Sequence, residues 1–340
     1  MTHRIDLSRE QILGQRRAVG GLHERLPASS GSLRMAAWAG LQDSMPRAAL
    51  LSIHARVAGS EPGTLGDPSL VQLWGPRFSA YAVAAEDRAV FTLGRMPDDA
   101  GGRGRAIATA DRLEAHLGGR ALPYGEAGVG LGVAPNSLRY ATTTGRVLIR
   151  WDGARQPVIW AVPAPDVDPA DARLELARRY LHVLGPGTPF GLAAWAGIKP
   201  PAARAAFEAI DGTLLPVRTP IGDAWILAGD EPAFRAPLAA RPGTARLLPS
   251  GDAFFLLEGA DRDLLVPDAG LRGRLWTSRV WPGAVLVGGE PVGTWRRADA
   301  LVTIQPWRRL TPGEREALDF EAASLPLPGL AGPIRARWDE

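Results

Sequence analysis

Between residues 170 and 227 the hydrophobic pattern changes period twice, and few folds accept that order. Leu174, Ala177, Leu181 and Leu184 recur at three- and four-residue spacing over Ala170–Leu184, the stripe of an amphipathic helix. Gly185–Pro189 turns the chain, and Phe190–Ala196 and Ala202–Ile210 read as two shorter helices. Leu214–Val217 and Ala224–Leu227 then surround a turn at Thr219–Asp223, the pattern of a hairpin. Helix, turn, helix, helix, hairpin is the order of a winged helix, in which the hairpin is the wing.

Earlier segments admit the same order. Ser8 and Gln11 form a capping box that opens a helix running to about Leu22. A second helix is expected over Leu33–Gly40, and a third over Pro46–Val57, where Ala49, Leu50, Ile53 and Val57 share a face. Gly59–Pro68 is a connector. Trp74–Val83 reads as a strand region, a short helix starts near Ala85, Pro97–Arg105 is a loop, and Ile107–Leu117 is helical. Leu138–Tyr140 and Arg146–Trp151 flank Thr142–Gly145, which predicts a second hairpin. Val162–Pro169 is a proline-rich link. Ala36–Leu41 (AAWAGL) resembles Ala193–Ile198 (AAWAGI), as duplicated modules would, although abundant alanine also produces such echoes. In the last third Ala284–Val287, Pro291–Trp295 and Leu301–Ile304 are β-type runs with Gly288-Gly289 at a hairpin position, and Pro312–Ser324 is a terminal helix. The expected architecture is therefore α+β: three tandem winged-helix modules over 1–66, 67–165 and 166–240, followed by a mostly β domain over 241–340.

Composition narrows the chemistry. The chain has no cysteine, which excludes disulfides and thiolate metal sites. Its histidines lie far apart, none at metal-ligand spacing, so neither a metal nor a cofactor is expected. The polar start MTHRIDLSRE has no signal-peptide core, and no apolar stretch reaches the length of a membrane span; a cytoplasmic monomer is expected. Lys199 is the only lysine among 39 basic residues. Arginine suits phosphate because its planar fork donates two parallel hydrogen bonds, but a GC-rich coding sequence also yields arginine, so composition alone does not establish nucleic-acid binding. Gly128–Gly132 does not match a phosphate-binding fingerprint, and no nucleophile elbow is present.

The segment Gly40-Leu41-Gln42-Asp43-Ser44-Met45-Pro46-Arg47 stands out, because three polar residues interrupt an apolar helical region. On residue chemistry alone it reads as a helix junction, with Ser44 as an N-cap and Pro46 in the next first turn. A second reading comes from resemblance. Gly40-Leu41-Gln42-Asp43-Ser44 is similar to the Gly-Leu-Gln context of the Gln-x-Gln or Gln-x-Asp motif in the AlkZ-like DNA glycosylase family, with Ser44 where the second Gln or Asp would stand. Trp74-Gly75-Pro76-Arg77 resembles that family's aromatic-then-Arg segment, and Ser79-Ala80-Tyr81 occupies its Thr-Leu-His position without the histidine. Arg178–Pro189, Trp195–Gly197, Arg246–Pro249, Arg262–Asp268 and Val292–Arg296 continue the resemblance in order over most of the chain.

What the resemblance implies is a monofunctional glycosylase that binds double-stranded DNA and excises alkylated or bulky, crosslinked purines by water attack at C1′. It implies that Gln42 positions the water and that Ser44 fills the second motif position without supplying a charge. Asp43 would contribute only if it shared the face of Gln42, and adjacent helical residues point about 100° apart. Arg47, Arg77 and Tyr81 are the implied DNA contacts. Because Ser44 and Tyr81 depart from the family pattern, a non-catalytic winged-helix DNA-binding protein, a regulator or lesion sensor, is the alternative. A winged-helix protein that binds other proteins is a third reading, since fold does not fix function.

Overall fold

In the computed structural model, which describes residues 4–153, 155–236, 241, 243–330 and 332–339, helices cover three sheets. The N-terminal part holds β1 (Ile5–Asp6), α1 (Arg9–Val19), α2 (Ser30–Ala36), β2 (Leu41–Gln42) and α3 (Ala48–Arg56). Next come β3 (Leu70–Trp74), β4 (Ala80–Ala84), α4 (Arg88–Thr92), α5 (Ala100–Leu117), β5 (Leu122–Pro123), α6 (Tyr124–Gly130), β6 (Val147–Arg150) and β7 (Val158–Ala161). A helical group follows: α7 (Pro169–Leu184), α8 (Pro189–Ala196) and α9 (Pro200–Ala209), then β8 (Leu214–Thr219), β9 (Gly222–Leu227) and α10 (Glu231–Arg235). The C-terminal part holds β10 (Ala245–Leu248), α11 (Asp261–Leu265), α12 (Ala269–Leu275), β11 (Gly283–Val287), β12 (Glu290–Ala298), β13 (Leu301–Pro306), α13 (Pro312–Ala323) and β14 (Arg335–Trp338).

Local signals hold where the chemistry is local. The Ser8 hydroxyl accepts from the Gln11 N–H at 3.2 Å while the Ser8 N–H donates to Gln11 Oε1 at 2.8 Å, the reciprocal capping expected for α1. The helix–helix–helix–hairpin order over 166–240 is present as α7, α8, α9 and the β8–β9 pair. Gly288 and Gly289 both take positive φ, 58° and 84°, which closes the β11–β12 hairpin with the twist its strands need. Gly40 and Gly197, the glycines of the repeated AAWAG segment, both take positive φ, 71° and 68°.

One expected hairpin is absent. Residues 135–144 form a 3-10 helix (Pro135–Thr144), and the strand that follows, β6, pairs with β7 instead. Pro135 opens that helix at its first turn, and the Thr143 and Thr144 hydroxyls bond back to the Tyr140 and Ala141 carbonyls, which favours a tight coil over a strand.

Strand pairing also crosses the expected module limits. β1 runs parallel to β8, Ile5 opposite Val217, so the N-terminus completes the β1–β8–β9 sheet. β2 is an edge of the six-stranded sheet β2-β4-β3-β6-β7-β5. The limit expected at 240 falls among residues outside those described. The third sheet runs β10-β11-β12-β13-β14, with α13 packed on it through Leu318 and Ala322.

Residues 1–66 therefore tie the molecule together. Leu13, Leu22 and Ala55 share a core with Phe254, Phe255 and Trp276 of the C-terminal part. Ala39 joins Leu73, Tyr81 and Phe91 in another, shared with Leu176, Tyr180 and Trp195 of the helical group. The strongest polar tie is a buried pair: the Arg56 guanidinium donates to both Asp252 oxygens at 2.7 Å, and the Ser52 hydroxyl adds a bond at 2.6 Å. Burial alone would raise the Asp252 carboxyl, but the Arg56 charge and these hydrogen bonds hold it below its ordinary value. Truncating one partner of such a pair strands a buried charge, at a cost of about 3–5 kcal/mol. Arg56→Met is expected to lose that much in a urea unfolding titration, and a loss below about 1 kcal/mol would show that water reaches Asp252.

Candidate active site

The motif segment lies on a sheet edge, which corrects the expectation of a helix junction. Gln42 pairs with Tyr81 across β2–β4, and the Asp43 N–H continues the ladder to the Ala80 carbonyl at 2.7 Å. Extended backbone turns successive side chains to opposite sides, so the helical angle of about 100° between neighbours does not apply. Leu41 and Asp43 are buried, Gln42 is half-buried, and Ser44 is exposed.

Asp43 points inward. It is 2% exposed, accepts the Ala49 N–H at 3.0 Å, and accepts Gln72 Nε2 at 2.6 Å. The first bond satisfies a free donor in the opening turn of α3, and the second fastens the motif to β3. Burial pushes the Asp43 carboxyl up to about 6, against the pull of the Ala49 and Gln72 hydrogen bonds and the Arg47 charge. Asp43 is thus a holding group rather than an open one.

Gln42 and Ser44 look the other way. Gln42 Nε2 donates to the Ser44 hydroxyl at 2.5 Å. Gln42 Oε1 receives Arg77 Nη2 at 3.3 Å and the Tyr81 hydroxyl at 3.4 Å. The amide is oriented from both ends, its carbonyl toward two donors and its NH2 toward Ser44. Gly251, at φ 79°, brings the loop of residues 249–258 so close that a Cβ there would lie 3.2 Å from Gln42 Nε2.

Arg77 takes φ 54°, as does Phe78 at 56°, two adjacent non-glycine residues in the left-handed region. Its Nη1 reaches Glu258 Oε1 at 3.3 Å, so the guanidinium bridges the motif and the C-terminal part. Gly197 is required beside it, because a Cβ there would stand 2.8 Å from the Arg77 nitrogen. Behind this turn Arg95 is buried and donates to the Ala196 and Trp74 carbonyls at 2.9 and 3.1 Å, with its charge 4.8 Å from the Phe78 ring centre. Burial lowers the Arg95 guanidinium to about 9.

Of the residues singled out from sequence, the structure brings Gln42, Ser44, Arg77 and Tyr81 together. Tyr81 is a correction: its ring is 1% exposed and only its hydroxyl reaches the site, so it is not an open DNA-facing residue. Arg47 starts α3 at φ 67° and acts on Asp43 through its charge, away from the Gln42 hydrogen bonds. Sequence patterns do not single out Glu258, Gly251 or Arg95. Each reaches the site by a long-range contact, and the apolar run around Glu258 carries no motif. Among the described residues no group of three or more His, Asp or Glu could hold a metal ion, and no helix is long and apolar enough to cross a membrane.

Known proteins resemble this chain in sequence and in fold. The family described as DNA glycosylase AlkZ-like matches residues 35–326, most of the chain and all of the motif region. The solved structure of the Streptomyces sahachiroi DNA glycosylase AlkZ superposes with a TM-score of 0.77 at 17% sequence identity, over 98% of this chain and 100% of that one. No curated protein sequence matches.

Since the folded value of Asp43 is raised, the protonated carboxyl contributes stability that is present below about pH 4 and lost as pH rises through about 6. Asp43→Asn is expected to flatten the pH dependence of the unfolding midpoint between pH 4 and 7. An unchanged profile would place the titrating group elsewhere.

Proposed function

The chain belongs to the AlkZ-like DNA glycosylase family, and from that premise we propose that it excises alkylated or bulky purines, crosslinked ones included, from double-stranded DNA. It does so as a monofunctional enzyme that leaves an abasic site. The observation that carries this reading is the presentation of Gln42: a half-buried amide, oriented from both ends, at the edge of a sheet.

An N7-alkylated purine is already cationic, so little acid catalysis is needed. The C1′–N9 bond breaks, its electron pair neutralises the purine, and an oxocarbenium charge develops on the sugar. A water oxygen then bonds to C1′ and releases a proton to solvent. Gln42 Oε1, released from its long bond to Arg77 as that guanidinium pairs with a backbone phosphate, accepts a hydrogen bond from that water and so turns a lone pair of the water oxygen toward C1′. Ser44 supplies no charge; by accepting from Nε2 it keeps Oε1 as the available acceptor. The negative end of the amide dipole faces the developing cation, and the Glu258 carboxylate lies beyond Arg77. Arg77 and Arg47 are assigned to backbone phosphates, which makes affinity fall with salt.

Lys199, the only lysine, is exposed and pairs with Asp99 at 3.0 Å. Borohydride is therefore expected to trap no lysine Schiff base with DNA, and a trapped adduct at Lys199 would contradict monofunctional chemistry. The non-catalytic reading rests on Asp43 being turned inward, which leaves the motif without a free carboxylate. Single-turnover release of 7-methylguanine from a duplex decides between the two. The wild type is expected to release it, and Gln42→Ala to be slower by about 100-fold or more, as loss of a water-positioning group implies. Tight, salt-dependent duplex binding without release of 7-methylguanine or of a bulky N7 adduct would establish the non-catalytic role.

A further inference from the structure

Ser44 leaves the motif without a negative charge, and its neighbour Asp43 is turned inward onto Ala49 and Gln72. We propose that Glu258 supplies the missing charge, its carboxylate facing the sugar across from Gln42 and stabilising the oxocarbenium as the glycosidic bond breaks. The assignment rests on the glycosylase reading, and it adds a second catalytic group from a part of the chain that no motif marks.

Position comes first. Arg77 Nη2 contacts Gln42 Oε1 and Arg77 Nη1 contacts Glu258 Oε1, at 3.3 Å each. Bridged by one planar guanidinium, the amide oxygen and the carboxylate oxygen lie within about 9 Å of each other. Paired catalytic groups flank a sugar at separations of about 5–9.5 Å, the wider ones leaving room for a water. Gln42 and Glu258 are therefore within reach of one deoxyribose when Arg77 turns to a backbone phosphate.

Availability comes next. Asp252, on the same loop, is fully buried and paired with Arg56, and Asp261 is paired with the buried Arg16 at 2.9 Å. Glu258 differs from both. Its side chain is 52% exposed, and 3.3 Å is long for a charge-assisted bond. An exposed pair of this kind is weak, so a phosphate competes well for the guanidinium. The backbone beneath Glu258 is braced. Arg262 Nε donates to the Leu257 carbonyl at 2.7 Å, Trp276 Nε1 to the Phe255 carbonyl at 3.0 Å, and the Leu256 N–H to the Asp252 carbonyl at 2.9 Å. The Arg56–Asp252 clamp holds the other end of the loop. A charge carried on a braced loop needs little reorganisation when the reaction occurs.

The sign of the effect follows from charge. Beside unmodified DNA the carboxylate is repelled by the phosphates, so Glu258 weakens binding there. When the C1′–N9 bond breaks, its electron pair leaves with the purine and the sugar becomes cationic, and the same carboxylate then stabilises it. An interaction that is favourable only as the bond breaks lowers the barrier. Glu258 forms no bond to C1′, and the proton of the attacking water still leaves to solvent.

Affinity for a charge placed at the sugar tests this without DNA cleavage. Fluorescence anisotropy with the full chain compares two duplexes, one with a pyrrolidine abasic analogue, cationic at neutral pH, and one with neutral tetrahydrofuran. The wild type is expected to prefer the pyrrolidine duplex by about tenfold or more. Glu258→Gln keeps the shape of an exposed side chain and an acceptor for Arg77. It is expected to cut that preference below about threefold while binding unmodified duplex at least as tightly as the wild type. Its single-turnover release of 7-methylguanine is expected to be slower by about 100-fold. No preference in the wild type, or a preference unchanged in Glu258→Gln, would overturn the assignment, because a residue that only positions Arg77 affects both duplexes alike. Release by Glu258→Gln within about threefold of an active wild type would overturn it too. A wild type that prefers the pyrrolidine duplex through Glu258 yet releases no 7-methylguanine would fault the glycosylase reading and leave the charge assignment standing.

Discussion

The Asp43 carboxylate holds the site in place. It is taken out of water between α3 and β3, satisfied by the Ala49 N–H and by the Gln72 amide. An extended strand can bury one side chain firmly only by turning its neighbours outward. Fixing Asp43 inside therefore fixes Gln42 and Ser44 outside, on the side where Arg77 and the Tyr81 hydroxyl wait. The carboxyl is raised to about 6 by burial, so the anchor stores an electrostatic cost at neutral pH. Strain of this kind belongs near functional groups, as do the two left-handed non-glycine residues Arg77 and Phe78.

Everything around that anchor converges from distant sequence. The buried Arg56–Asp252 pair clamps α3 to the loop that carries Gly251 and Glu258, and that loop covers Gln42 from the C-terminal side. From the other side, Gly197 at the end of α8 allows the Arg77 backbone to approach. The motif comes from the N-terminal part, Arg77 and Tyr81 from the six-stranded sheet, Gly197 from the helical group and Glu258 from the C-terminal part. A site shared in this way forms only when all four are docked, and β1, paired with β8, ties the N-terminal part to the hairpin of the helical group.

Much of this is legible in the sequence wherever the cause is local. The Ser8–Gln11 box, the α7–α9 order with its hairpin, and the Gly288-Gly289 turn depend on residues within a few positions of one another, and each appears as read. The family likeness, carried by the order of loose motifs, marks Gln42, Ser44, Arg77 and Tyr81 together. The segments that sequence misreads depend on tertiary context. A two-residue strand is too short to show a period of two, so Leu41-Gln42 reads as part of a helix junction. Residues 138–151 have β-type composition, yet a proline start and threonine back-bonds coil the first half. Glu258 and Arg95 matter because of what they touch across roughly 100 to 180 residues, and no spacing rule sees that far.

On the proposed reading one short segment divides its labour: Asp43 holds, Gln42 acts, and Ser44 works only through Gln42. A double-mutant cycle on single-turnover excision of an N7-alkylguanine measures that dependence directly. If Ser44 serves only to orient the Gln42 amide, Ser44→Ala slows excision about tenfold in the wild-type background and by nothing further when added to Gln42→Ala. Fully additive losses would mean that Ser44 touches the reaction independently, and would contradict this division of labour.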